Sequence, residues 1–171
     1  VERYCATQPN CKRSIRTSLA ELGPRGLDPS DCVLYSDRQY NTPGFSYARF
    51  SAQTTMTWTD GVVLPDNEVI FVPTILVYLI RTWKEQREYI CLPTSNGLAA
   101  GVTLDMAILN GLLEVVERDA FMVSWLTRRQ CSRVNYWRQG GLPATIRNHY
   151  SNFGIEVVVV NITTDLPIHV M

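Results

Sequence analysis

Glu114 and Glu117 are the residues most able to do chemistry, because they stand three apart in a run that is otherwise mostly apolar. Arg118 and Asp119 follow at once. In helical periodicity Met106, Asn110, Glu114 and Glu117 fall at i, i+4, i+8 and i+11, so they share one face. Leu104, Ile108, Leu112, Val115, Val116 and Phe121 fill much of the remainder. A helix apolar on most sides is expected to be buried. Two buried carboxylates one turn apart repel each other and lose hydration, so they require cations or donors. A divalent metal suits such a hard oxygen pair, and phosphates often accompany it. The competing reading makes them exposed helix charges, or partners of Arg118 and neighbouring arginines. Arg118 itself suits a phosphate by its planar fork, or an ion pair with Asp119 or Glu114.

The loop Ser95-Asn96-Gly97-Leu98-Ala99-Ala100-Gly101 leads into this helix. Amides and a hydroxyl at a helix N-terminus suit an anionic phosphate. A plain turn whose small residues allow close packing is the alternative. No GxxxxGK[ST] run occurs, and no GxGxxG opens a helix after a strand, so neither an ordinary P-loop nor a Rossmann site is supported.

The loop and helix together resemble the YcaO family of ATP-dependent enzymes that modify peptide backbones. That family joins a Ser-Asn-Gly-x-x-Ala-Gly loop to a helix ending Glu-x-x-Glu-Arg. Here the two parts read SNGLAAG and VTLDMAILNGLLEVVERDAF. The LLEVVERDAF form is most similar to members that make azoline rings in ribosomally made peptides. The resemblance implies a mixed α/β fold with antiparallel strands packed with long helices. It also implies Mg2+ held by Glu114 and Glu117, with ATP contacted by Ser95, Asn96, Gly97 and Arg118. The first residues, VERYCA, resemble the end of an earlier Glu-x-x-Glu-Arg helix. Glu2 then matches a metal-binding glutamate and Arg3 a nucleotide-binding arginine; a frayed terminal helix is the plainer reading. No initiator Met is present, so residues 1–171 are expected to be a fragment of an ATP-binding domain incomplete at both ends.

By the same resemblance the full enzyme is a cyclodehydratase acting on a precursor peptide in the cytoplasm. A leader-peptide-binding protein is the expected partner, and a second copy of the chain is a further candidate. No catalytic residue is assigned. Relatives forming thioamides or amidines share the chemistry. A catalytically silent scaffold of a peptide-modifying complex is the rival. Two departures favour that rival: the family has Asn and Glu where this chain has Val102 and Met106. Asp105 lies about a quarter turn from Met106, so it is an imperfect substitute.

The elements that must position these residues follow from pattern. Residues 1–7 read as a helix end, residues 14–22 as a short helix, and residues 32–35 as a short strand. Residues 40–46 read as a turn. Residues 54–59 suit a strand, Asp60-Gly61 a turn, and Asp66-Asn67 another. The apolar runs 69–72 and 75–80 extend a meander interrupted by Pro73. Residues 89–92 read as a strand delivering the loop. The main helix spans about 103–125, and a second spans 143–152 with Gly154 behind it. The β-branched run 155–162 reads as a buried strand, and 168–171 as the start of another.

Composition bounds the rest. The 171 residues, 46% hydrophobic and 19% charged, suffice for a globular core. Net charge is zero, so nothing marks general nucleic-acid binding. No apolar run has membrane-spanning length. Cys5, Cys11, Cys32, Cys91 and Cys131 form no CxxC pair and read as reduced thiols rather than a zinc site or disulfide framework. Trp58, Trp83, Trp125 and Trp137 read as core residues, and His149 and His169 receive no role.

Overall fold

The computed structural model describes residues 2–7, 14–32, 35–64, 66–79, 86–135 and 141–171. The side chains of Glu2, Arg3 and residues 141–143 lie outside that description. So do Cys11, Trp83 and Trp137, and with Val33 and Leu34 half of the strand expected at 32–35. The chain divides into two units, residues 1–98 and 99–171.

The first unit is built on a three-stranded antiparallel sheet in the order β1-β2-β3, with β1 at Ser14–Thr17, β2 at Met56–Val63 and β3 at Glu68–Pro73. A one-turn helix α1 (Glu2–Ala6) precedes it. The helix expected over 14–22 begins later. Ile15 and Thr17 suit a strand, and Ser18 forms a capping box with Glu21, so α2 occupies only Leu19–Leu22. A second capping box, Ser36 with Gln39, starts α3 (Asp37–Tyr40).

Asp60-Gly61 is not a turn. The hairpin reverses at Asp66-Asn67, where Asn67 takes φ 58°, and Gly61 pairs with Ile70 inside the ladder. Asn tolerates that left-handed conformation better than most residues. The strand expected after Pro73 is instead a one-turn helix, α4 (Thr74–Val77). Proline lacks the amide a further ladder bond needs. The outer edge of β3 is shielded by a preceding segment, since the Leu27 N–H donates to the Phe71 carbonyl at 2.8 Å. Leu22, Met56, Trp58, Ile75, Ile90 and Cys91 form the core.

The second unit carries α5 (Leu104–Thr127), β4 (Ser132–Arg133), α6 (Gly141–Ser151) and β5 (Val160–Asn161). Thr103 caps α5 by accepting the Met106 N–H at 3.2 Å, and Arg128 closes it at φ 52°. The expectation of a buried helix fails. Along its 24 residues only Gly111, Ala120 and Ser124 are buried, and Leu104, Leu112 and Trp125 are largely exposed. A helix about 36 Å long presents more apolar surface than the short elements of this unit could cover. Gly111 and Ala120 are nine residues apart, two and a half turns, so the buried positions lie on opposite sides. The strand expected over 155–162 shrinks to β5, because among the described residues only Ser132 and Arg133 pair with it. Residues 168–171 form no strand, although the Ile162 N–H donates to the Val170 carbonyl.

Candidate functional site

Ser95, Asn96, Gly97 and Leu98 form a tight turn in the first unit, with the Leu98 N–H donating to the Ser95 carbonyl at 3.0 Å. Gly97 sits third in it at φ 79°, where an L side chain is strained. The turn's conformation thus calls for glycine at 97. Gly97→Ala is expected to cost about 1–2 kcal/mol of local stability. Denaturant titration of the full-length protein checks this; an unchanged midpoint would show that the turn relaxes at no cost. The strand expected to deliver this turn, residues 89–92, is absent. Gln86–Glu88 form one 3-10 turn, and the chain then runs irregularly with Ile90 and Cys91 buried.

In the second unit the chain entering α5 folds back along it. The Asn110 side-chain amide donates to the Ala100 carbonyl at 3.0 Å. Gly101 lies so close to the helix that a Cβ there would meet the Ala107 nitrogen at 2.5 Å. Asn110 is on the face that carries Glu114 and Glu117, so loop backbone and carboxylates share that face. Glu114 is half-buried and Glu117 exposed, which corrects the expectation of two buried carboxylates. The reason is the exposure of α5 itself. Arg118 pairs with Glu114, Nε to Oε1, at 3.5 Å. That is the ion-pair alternative for Arg118, realised at i, i+4 spacing. Met106, on the same face, is exposed and brings no oxygen.

Two carboxylates a turn apart match the donor set of Mg2+, which takes one or two protein carboxylates and completes its shell with phosphate oxygens and water. Among the described residues no group of three His, Cys, Asp or Glu side chains is placed to hold a metal unaided. Glu2 and Arg3 open α1 in the first unit, and their side chains lie outside the described residues.

The other reactive groups have structural places. Burial, with Cys32 as a smaller cause, pushes the Cys91 thiol up to about 11, so it stays protonated at neutral pH. Trp58 is fully buried, as expected for a core residue, whereas Trp125 is exposed and stacks on Phe121 with centroids 6.1 Å apart. No helix among the described residues is long and apolar enough to cross a membrane.

Sequence reasoning missed one polar cluster. Glu88 is 2% exposed. Its carboxylate accepts from Arg16 Nη1, and from the Thr57 N–H and Oγ1, both at 2.9 Å. The available signal was a glutamate set directly against the apolar run Tyr89-Ile90-Cys91-Leu92.

The profile of one family, described as YcaO cyclodehydratase, ATP- and Mg2+-binding, matches residues 1–171. A protein in the tfuA 3′ region of Rhizobium leguminosarum bv. trifolii is 30% identical over 177 residues, covering 98% of this chain and 42% of that protein. A Methanothermobacter thermautotrophicus protein is 29% identical over 143 residues, covering 82% of this chain and 34% of that protein. The solved heterocyclase TruD is 30% identical with a TM-score of 0.80, covering 98% of this chain and 26% of TruD. A heterocyclase solved in complex with substrate and cofactor is 29% identical with a TM-score of 0.83, over 98% of this chain and 24% of that one. YcaO from Methanopyrus kandleri, solved with AMPPCP and Mg2+, shares the fold at 23% identity and a TM-score of 0.58, over 93% of this chain and 36% of that one. The chain therefore spans less than half the length of the curated relatives it matches.

Proposed function

The chain belongs to the YcaO family, and from that premise we propose that it is part of an ATP-dependent cyclodehydratase forming azoline rings in a ribosomally made precursor peptide. The observation that carries this reading is the acidic face of α5, where Glu114 and Glu117 lie beside a loop that Asn110 ties back onto the helix. Family membership and the likeness to heterocyclases support the peptide-modifying chemistry.

In this reading Glu114 and Glu117, with Glu2 from α1, hold Mg2+. Mg2+ bound there would supply the positive charge that offsets the ATP phosphates. Ser95, Asn96 and Gly97 offer turn amides and a hydroxyl to the phosphates, and Arg3 and Arg118 add guanidinium donors. Arg118 would exchange its Glu114 contact for a phosphate oxygen. A Cys, Ser or Thr side chain of the peptide gives up its proton and attacks the preceding backbone carbonyl, the resulting oxygen takes the γ-phosphoryl group of ATP with ADP departing, and phosphate then leaves as the amide nitrogen gives up its proton and forms the C=N bond of the ring. Phosphate departs far more readily than hydroxide, which is why the ring closure needs ATP. The protein works in the cytoplasm with a leader-peptide-binding partner, and a second copy of itself is the other partner we propose.

Val102 and Met106 support a second reading, a silent scaffold of the same complex, because each replaces a polar family residue with an apolar one. One experiment separates the two. The full-length protein and its partner are given precursor peptide and Mg-ATP, and peptide mass and free phosphate are followed together. The enzyme reading expects one water lost from the peptide per phosphate released. An unchanged peptide with no phosphate release would leave the scaffold.

A further inference from the structure

We infer that the cleft between α6 and the chain entering β5 binds a small organic oxyanion, a carboxylate or phosphate group carried on an apolar body, with none of the residues assigned to Mg-ATP. α6 ends in a closed turn. The carbonyls of Asn148, Tyr150 and Ser151 accept from the N–H groups of Asn152, Phe153 and Gly154, and Gly154 takes φ 71°. The negative end of the helix is thus satisfied from within the chain. Beyond the β4–β5 pairs the Val134 N–H donates to the Val159 carbonyl at 2.9 Å. Residues 133–135, the last turns of α6 and residues 156–159 together line a cleft of about 500 Å3.

Its polar side chains are Arg133, Asn135, Arg147, Ser151 and Glu156. Two guanidinium groups against one carboxylate leave the lining with a net positive charge. Among the described residues the Arg147 and Asn135 side chains form no hydrogen bond or ion pair. Ser151 donates its hydroxyl to the Arg147 carbonyl at 2.8 Å and keeps only an acceptor for a ligand. Arg133 meets Glu156 at 3.5 Å, with both side chains about three-quarters exposed. An exposed pair this loose contributes little, so an entering anion displaces Glu156 at small cost. A planar oxyanion suits guanidinium forks and the Asn135 amide. Residues 157–159 are all valine and give the wall an apolar part. The volume falls within the range of small-molecule sites and far exceeds what a bare phosphate fills. Both features call for a ligand with an apolar body behind its charge.

The test labels the full-length protein with phenylglyoxal, which reacts with accessible guanidinium groups, and maps the labelled peptides by mass. Arg147 is the reporter, and the exposed Arg25 of the first unit is the reference. Hexanoate and hexyl phosphate distinguish a carboxylate from a phosphate ligand; hexanol and inorganic phosphate each supply one half of the chemistry. We expect one of the two amphipathic anions to slow labelling of Arg147 with Arg25 unchanged. Inorganic phosphate should need about ten-fold more for equal protection, because it buries no methylene groups. Arg133→Gln should raise the half-protecting concentration about ten-fold. Glu156→Gln should lower it about three-fold by removing the competing carboxylate, an opposite change that loss of folding does not produce. Protection by hexanol equal to that by the anions would overturn the inference, as would equal slowing at Arg25 or no protection by either anion. An Arg147 that fails to label in the full-length protein would show the cleft covered there, and would overturn it too.

Discussion

Substituting Ala at both Glu114 and Glu117 is expected to weaken Mg-ATP binding by more than about a hundred-fold in the full-length protein while leaving its fold intact. The reasoning starts from charge. Mg2+ bound beside a polyphosphate needs protein anions to hold it in register, and this helix face carries only those two. Met106, about two and three turns before them on the same face, brings no oxygen to share the load. The two substitutions should therefore cost more here than on a helix face that carries a third acidic ligand. Stability should barely move. Alanine is the strongest helix former, and the Glu114–Arg118 pair is worth only about 0.3–0.5 kcal/mol at i, i+4 spacing. Calorimetric titration together with circular dichroism checks both halves. Undiminished Mg-ATP binding by the folded double variant would remove the nucleotide from this helix.

The second large effect is structural. Trp58→Ala is expected to destabilise the first unit by about 3–5 kcal/mol. Trp58 is fully enclosed by a core that includes Leu22, Met56, Ile75 and Ile90. Its indole Nε1 also donates to the Thr17 carbonyl at 2.9 Å, tying the core to the end of β1. Alanine would leave both a cavity and an unmatched carbonyl. Against a typical domain stability of about 5–15 kcal/mol, that loss leaves little margin. Trp58→Phe keeps most of the volume and loses mainly the hydrogen bond, so it should cost about 1–2 kcal/mol. Equilibrium denaturation measures both. An alanine variant within about 1 kcal/mol of the parent would contradict the packing argument.

What could be read from sequence divides along physical lines. The long helix was legible because its N-cap, its apolar run and its Glu-x-x-Glu-Arg ending are all local. Thr103 caps α5 close to where the pattern placed its start. The loop and acidic face could be singled out as candidates for the same reason, since both are local patterns. Strand ends were not. Asp60-Gly61 looks like a turn in isolation, yet the hairpin reverses at Asn67, and register over a whole ladder decides such a contest. Residues 89–92 look like a strand, but they follow a one-turn 3-10 helix and sink Ile90 and Cys91 into the core, beside Glu88, whose carboxylate is bonded to residues 72 and 31 positions away. No local pattern shows such a bond. The exposure of α5 escaped prediction because hydrophobicity states what a helix would bury, not whether the chain at hand supplies the cover.

The pairing of Arg16 with Glu88 also constrains how this sequence can change through descent. Loss of Arg16 alone takes the paired cation from a carboxylate so nearly closed to water that the step is strongly unfavourable, and loss of Glu88 alone takes from Arg16 this buried partner. Loss of both together is much milder if apolar groups of similar volume fill the space. Single steps from this state are therefore disfavoured in either direction. Positions 16 and 88 should drift as one character, held together across most of the first unit's sequence by a bond that neither neighbourhood reveals.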